Sequence, residues 1–177
     1  MHPSFIATVS EPYKLVVMGV SGCGKSTLGQ ALARELGYPL IEGDEHHLAA
    51  SKAKMRAGIP LDDADREPWL DRLGFLVASE SGGAVLTCSA LKRRYRDRLR
   101  AQVPALGFVF IEIEPADAVE RVASRSAHLF PPSLVANQFA TLESPTAERG
   151  VITVPARDPL SAQVAAVTKW LAGSPEV

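Results

Sequence analysis

Between the apolar run Leu15-Val16-Val17-Met18 and a helix-forming stretch from Ser26 to Leu36 lies the segment Gly19-Val20-Ser21-Gly22-Cys23-Gly24-Lys25-Ser26-Thr27. It fits the pattern G-x-x-x-x-G-K-[ST], with the buried strand before it and the helix after it that the pattern needs. Glycines let the backbone turn so tightly that successive amide N–H groups converge on one point, toward which the positive end of the following helix is also aimed. Such a concavity binds the phosphates of a nucleotide. Lys25 is expected to reach the β and γ phosphates as a point charge, and the Ser26 hydroxyl to ligate the Mg²⁺ that bridges them. A glycine-rich turn that merely joins a strand to a helix would not need four constrained positions in this order.

The remainder alternates strand and helix. Short β-rich runs at Pro39-Leu40-Ile41, Ala84 to Cys88, Phe108 to Ile111 and Val151 to Val154 are separated by helical stretches, which predicts an α/β fold with a parallel sheet covered on both faces. In such sheets ligands bind beyond the carboxyl ends of the strands, so Glu42-Gly43-Asp44 and Ser89-Ala90-Leu91-Lys92 should face the crevice that holds the phosphate loop. The spacing predicts one helix fading at Gly58-Ile59-Pro60, a second capped by Asp65 with Pro68 in its first turn, and a third from about Ser133 to Leu142. With 177 residues, 46% of them hydrophobic, a single domain over 1–177 is expected, with residues 1–12 as a loose arm. A net charge of -1 offers no field for a nucleic-acid backbone, so nucleic acid is not an expected partner. No apolar run approaches the roughly 18 residues of a spanning helix, so no membrane is expected and a cytoplasmic location is. Cys23 and Cys88 lack metal-ligand spacing and read as reduced thiols.

Five blocks carry a resemblance to the gluconokinases, small P-loop kinases that phosphorylate D-gluconate with ATP. They are MGVSGCGKST at 18–27, EGDEHH at 42–47, KMRAGIPLDDADREPWL at 54–70, CSALKRRYRDRLR at 88–100 and HLFPPSLVANQFATLESP at 128–145. The resemblance implies a doubly wound, five-stranded parallel sheet of P-loop kinase type, a lid near 125–140, a homodimer and 6-phosphogluconate as product. The sequence departs from the family pattern at Glu42, where Asp is frequent, lengthening the reach of a carboxylate that would hold Mg²⁺ through water. Ser51 replaces a frequent Asn, and Ser126-Ala127 replaces the Lys-Gly common before the lid His. Shikimate kinase shares scaffold and size, but the PLDDADREPWL and CSALK blocks argue against it. A non-catalytic nucleotide switch gives no reason for acids, His and Arg to gather at strand ends.

Phosphoryl transfer leaves a protein mainly positioning and charge neutralisation. Asp44 is the candidate to accept the proton of the substrate hydroxyl, the alternative being a cap of the next helix. His47 matches the family position for a substrate hydrogen bond, although a packing role is open to it. Arg66 suits the gluconate carboxylate, since its planar fork can donate two parallel hydrogen bonds, unless Asp65 neutralises it. Trp69 reads as a packing anchor. Lys92 is placed over the crevice to bind gluconate or the transferring phosphate. Of Arg93, Arg94, Arg96, Arg98 and Arg100, most should be solvated and one at most should reach substrate. Arg121 and Arg125, four residues apart, should share a helix face toward the lid, with Arg125 brought to the phosphates on closure. His128 and Gln138 match family lid positions, and Gln138 is taken as substrate-binding.

Overall fold

The computed structural model describes residues 11–125 and 131–174. Five parallel strands run in the order β2-β3-β1-β4-β5: β1 Lys14–Met18, β2 Leu40–Glu42, β3 Ala84–Thr87, β4 Leu106–Glu112 and β5 Val151–Pro155. The order reverses on either side of β1, and the phosphate loop leaves β1 at that switch point. The parallel sheet expected from the alternation is therefore present.

β1 shows why the sheet is buried on both faces. Successive side chains point to opposite faces, and all four residues Leu15 to Met18 are excluded from solvent. Leu15 and Val17 pack with Leu28 and Leu32 of α1 (Lys25–Leu36) and with Val167 and Leu171 of α7 (Leu160–Gly173). Val16 and Met18 pack on the other side with Leu70, Leu73 and Val77 of α3 (Asp63–Ser79) and Leu99 of α4 (Arg93–Gln102).

The local readings need four corrections. α1 begins at Lys25, not Ser26, and closes on Gly37 in the left-handed conformation, as its position predicts. The stretch after β2 is not one helix but a 3-10 turn over Gly43–His46 followed by α2 over Ala49–Arg56. α3 is capped by Asp62 rather than Asp65. The Asp62 carboxylate accepts the Asp65 amide at 2.8 Å, and the Asp65 carboxylate accepts the Asp62 amide at 3.0 Å, a reciprocal box worth about 1 kcal/mol. Pro68 consequently lies inside α3 beyond its first turn, where its missing N–H leaves one carbonyl of the first turn without a helical donor. Last, the helix expected from Ser133 is a 3-10 turn over Pro132–Leu134 leading into α6, Val135–Thr141. The remaining crossover helix, α5, spans Pro115–Ala123. Among the described residues no helix is long and apolar enough to cross a membrane.

Candidate active site

The phosphate loop is shaped by glycines in conformations closed to other residues. Gly22 has φ +85°, and a Cβ there would sit 2.9 Å from the Ala118 carbonyl oxygen of α5. The loop is pinned from that side by Arg121, whose guanidinium donates to the carbonyls of Gly22 (3.4 Å) and Ala156 (3.1 Å). Lys25 Nζ donates to the carbonyls of Gly19 and Val20, both at 3.0 Å, and the Ser21 amide donates to Gln138 Oε1 at 2.6 Å. Cys23, inside the loop, is 1% exposed, and burial pushes its thiol pKa up; Cys88 is likewise buried and its thiol is pushed up to about 12. Neither cysteine is a nucleophile at neutral pH.

Beyond the loop a crevice of about 610 Å³ is walled by Ser21, Lys25, Asp44, His47, Arg66 and Gln138, together with Met55, Pro60, Leu61, Ser89, Leu134 and Asn137. Six of the residues singled out in the sequence are thus brought to one cavity from four separate stretches of chain.

Asp44 lies in the 3-10 turn after β2, and its side chain does not cap α2, whose N-cap is Leu48. The turn is held by close packing: a Cβ on Gly43 would lie 2.1 Å from the Thr87 carbonyl oxygen, and the Gly43 carbonyl accepts the Trp69 indole N–H at 2.8 Å. Trp69 is 2% exposed and stacks on His47 with ring centroids 4.0 Å apart, so it is the packing anchor expected and it also fixes the imidazole. His47 Nε2 stands 3.7 Å from Asp44 Oδ1, a charge-range approach rather than a hydrogen bond, while its buried Nδ1 has no partner among the described residues. The Asp44 side chain faces the open crevice and keeps 77% of its surface accessible, with protein mass on its other sides. That partial desolvation acts to raise its pKa. The approach of His47 and the positive charges of Lys25 and Arg125 outweigh it and hold the carboxyl below its ordinary value.

Glu42, at the end of β2, accepts from Ser26 Oγ at 3.1 Å and from Thr87 Oγ1 at 2.6 Å through the same carboxylate oxygen. Hydroxyl and carboxylate oxygens beside the loop are the donor set of a small hard cation that keeps most of its water and takes the rest of its ligands from phosphates, so these residues fit Mg²⁺.

Arg66 is 6% exposed, with its Nε on the Leu61 carbonyl at 3.4 Å and its guanidinium 5.5 Å from the centre of the Tyr95 ring. Asp65 does not neutralise it, because the Asp65 carboxylate is engaged by Lys54 at 2.8 Å. Lys92 is placed differently from expectation. Its ammonium is 3.1 Å from Asp63 and 5.7 Å from the Tyr95 ring centre, outside the crevice wall. The reason is local: Lys92 is the N-cap of α4, and α4 packs on α3, which carries Asp63. Tyr95 also donates its hydroxyl to Asp63, so Arg66 and Lys92 approach one ring that Asp63 holds in place.

The arginine-rich helix divides by face. Arg94 and Arg98 pair with Asp63, Glu67 and Asp71 of α3 at the surface, in keeping with the expectation that most of these charges are solvated, and Arg96 is the exception, being fully buried. Arg121 and Arg125 do not share a helix face, since α5 ends at Ala123 and Arg125 lies beyond it. Arg125 is exposed and near enough to Asp44 to lower its pKa. His128 and the Ser126-Ala127 departure lie outside the described residues, as does part of the expected lid. Ser89 lines the crevice as its place after β3 leads one to expect, and Asn137 lines it without having been singled out in the sequence, although it falls within a family-like block.

A sequence model of the family described as an AAA domain matches residues 15–145. The chain is 47% identical over 148 residues to a gluconokinase of Gluconobacter oxydans (strain 621H), covering 81% of this chain and 83% of that protein. Among solved structures, a gluconokinase from Sinorhizobium meliloti 1021 superposes with a TM-score of 0.80 at 43% identity, covering 91% of this chain and 96% of that one. A shikimate kinase from Bacteroides thetaiotaomicron, at 17% identity and a TM-score of 0.65 over 90% of this chain and 98% of that one, shares the fold alone.

Proposed function

The chain belongs to the gluconokinase family, and from that premise we propose how its crevice transfers the γ-phosphoryl group of ATP to the 6-hydroxyl of D-gluconate, giving 6-phospho-D-gluconate and ADP. The observation that carries the reading is Arg66: a buried guanidinium on the wall of the cavity that also holds Lys25 and Asp44. Residues 19–27 take the nucleotide phosphates through backbone amides, and Lys25 turns from the Gly19 and Val20 carbonyls to the β and γ phosphates. Ser26 would hold Mg²⁺, with Glu42 acting through water, and the ion would supply charge neutralisation to the nucleotide phosphates.

Gluconate lies with its carboxylate on the Arg66 fork and its 6-hydroxyl at Asp44. Asp44 orients that hydroxyl toward the γ-phosphoryl group and accepts its proton as the new O–P bond forms. His47 presents Nε2 to the crevice, where it keeps the Asp44 carboxylate aligned and hydrogen-bonds a substrate hydroxyl. Gln138, whose Oε1 accepts the Ser21 amide, has a carboxamide NH₂ to offer gluconate. Arg125 brings positive charge to the transferring phosphoryl when the lid near 125–140 closes, and closure excludes water that would otherwise take the phosphoryl group. Lys92, paired with Asp63, acts on substrate through the Tyr95 ring that Arg66 also meets, rather than by reaching the crevice itself. Homodimer formation and a cytoplasmic location rest on the family likeness and belong to the same proposal.

Arg66→Met, which keeps volume and removes the fork, is expected to raise the gluconate KM by on the order of 30-fold or more, the equivalent of losing a charged hydrogen-bonded pair worth about 2 kcal/mol. The ATP KM should stay within about twofold of the parent value, because the loop is untouched. Steady-state kinetics with each substrate varied at saturation of the other checks this. An unchanged gluconate KM would remove Arg66 as the carboxylate anchor.

A further inference from the structure

Arg96 is 0% exposed and has none of the roles above. Its Nε and Nη2 meet Glu148 at 3.1 and 2.6 Å. Nη1 donates to the carbonyls of Ala90 (2.7 Å) and Leu91 (3.0 Å), and Nη2 also to the carbonyl of Glu143 (2.9 Å). Two segments far apart in sequence therefore meet on one guanidinium of α4: the turn after β3, and the connection from α6 to β5 that carries Glu143 and Glu148.

Both segments adjoin the walls of the crevice. The turn after β3 carries Ser89, which lines the cavity and whose carbonyl accepts the Gly19 amide of the phosphate loop at 3.3 Å. Ala90 in that turn has φ +45°, a left-handed conformation that a residue with a Cβ adopts at a cost of about 1 kcal/mol or more and keeps only where its surroundings hold it. α6 carries Asn137 and Gln138 on the opposite wall, and the chain leaving it is tied back by the Glu143 amide on the Leu91 carbonyl at 2.8 Å. Arg100 completes the support, donating to Glu148 at 2.8 Å with its guanidinium 4.6 Å from the centre of the Phe108 ring. Burial acts to raise the Glu148 pKa, but Arg96 and Arg100 outweigh it and keep the carboxylate charged.

We propose that Arg96, oriented by Glu148, is a positioning residue for phosphoryl transfer that fixes the Ser89 turn and the C-terminal end of α6 to each other, and so sets the spacing of the walls that receive gluconate. A buried ion pair alone stabilises little compared with apolar packing of the same volume. What the guanidinium adds is geometry: donors in one rigid plane fix the relative positions of three backbone carbonyls and a carboxylate, which a lysine ammonium or an apolar side chain cannot do. The strained Ala90 turn is where that constraint is needed, since its carbonyl is held by Arg96 and not by the sheet.

The inference rests on gluconate occupying the crevice, which Arg66→Met tests separately. Arg96→Lys keeps the charge and loses the fork, and is expected to raise the gluconate KM about 10-fold with the ATP KM within about twofold of the parent, in enzyme that still melts cooperatively. A purely structural role would lower the melting temperature or the amount of active enzyme and leave the gluconate KM where it was; that result overturns the proposal. Should Arg96→Lys not be recovered folded, Glu148→Gln carries the same test, a raised gluconate KM supporting the proposal and an unchanged one refuting it. If Arg66→Met moves the gluconate KM and neither of these variants does, the positioning role fails and the site reading stands. If none moves it, the site reading itself fails.

Discussion

Asp44→Asn is expected to lower kcat about 10³-fold while ATP affinity stays within about twofold of the parent's. The substitution keeps the size and the hydrogen-bonding reach of the side chain but removes the group that accepts the hydroxyl proton and the charge that His47, Lys25 and Arg125 surround. The 3-10 turn should survive it, because the turn is held by the Gly43 contact with Thr87 and the Trp69 hydrogen bond, neither of which involves the carboxylate. The parent's pH profile is part of the same test. A carboxyl held below its ordinary pKa is ionised and competent down to a lower pH than usual, and activity is lost as pH falls through that depressed value. The acidic limb of kcat/KM should therefore lie below the ordinary carboxylate range of about 4. Near-normal turnover in Asp44→Asn, measured by stopped-time product formation at saturating substrates, would move the hydroxyl-orienting role to another residue.

Lys25→Ala is expected to cost on the order of 10³-fold in kcat and to weaken ATP binding as well. Lys25 is the loop cation that reaches the β and γ phosphates, and the transition state gathers negative charge on the transferring oxygens. The variant should also shift the acidic limb of kcat/KM upward, since Lys25 is one of the charges that hold the Asp44 pKa down. The two effects together distinguish it from simple loss of fold: unfolding lowers turnover without moving the limb. Nucleotide titration and the pH profile of the residual activity check both. An unchanged limb would mean that Lys25 and Asp44 do not share one site.

The parts of this molecule legible in the sequence are those dictated by local chemistry. The loop could be read because its glycines, Lys25 and Ser26 must stand at fixed spacing between a buried strand and a helix, and the parallel sheet because β1 is apolar at four consecutive positions, Leu15 to Met18, rather than at alternate ones. The placing of Asp44, His47 and Arg66 on one crevice followed from strand ends and family-like blocks. Long-range pairing was the harder part. Arg96 looks like its neighbours in an arginine-rich helix, and nothing within α4 announces that Glu148, 52 residues later, will bury it. Lys92 sits at a strand's carboxyl end as the reading required, but capping α4 and meeting Asp63 draws its ammonium away from the cavity. The cap of α3 was misplaced because Asp62, Asp63 and Asp65 are all competent caps, and only the reciprocal pair of backbone bonds selects Asp62. Ser89 carried no local signal beyond lying after a strand; its place on the wall depends on the Ala90 conformation that Arg96 helps hold.

The central claim is that the loop supplies the donor half of the site and that Asp44, His47 and Arg66 make the acceptor half specific for gluconate. ATP turnover measured with D-gluconate, with shikimate and with no acceptor tests it most directly. Turnover strictly dependent on gluconate, with 6-phosphogluconate formed in step with ADP, is the predicted result; equal ADP release in all three would contradict it.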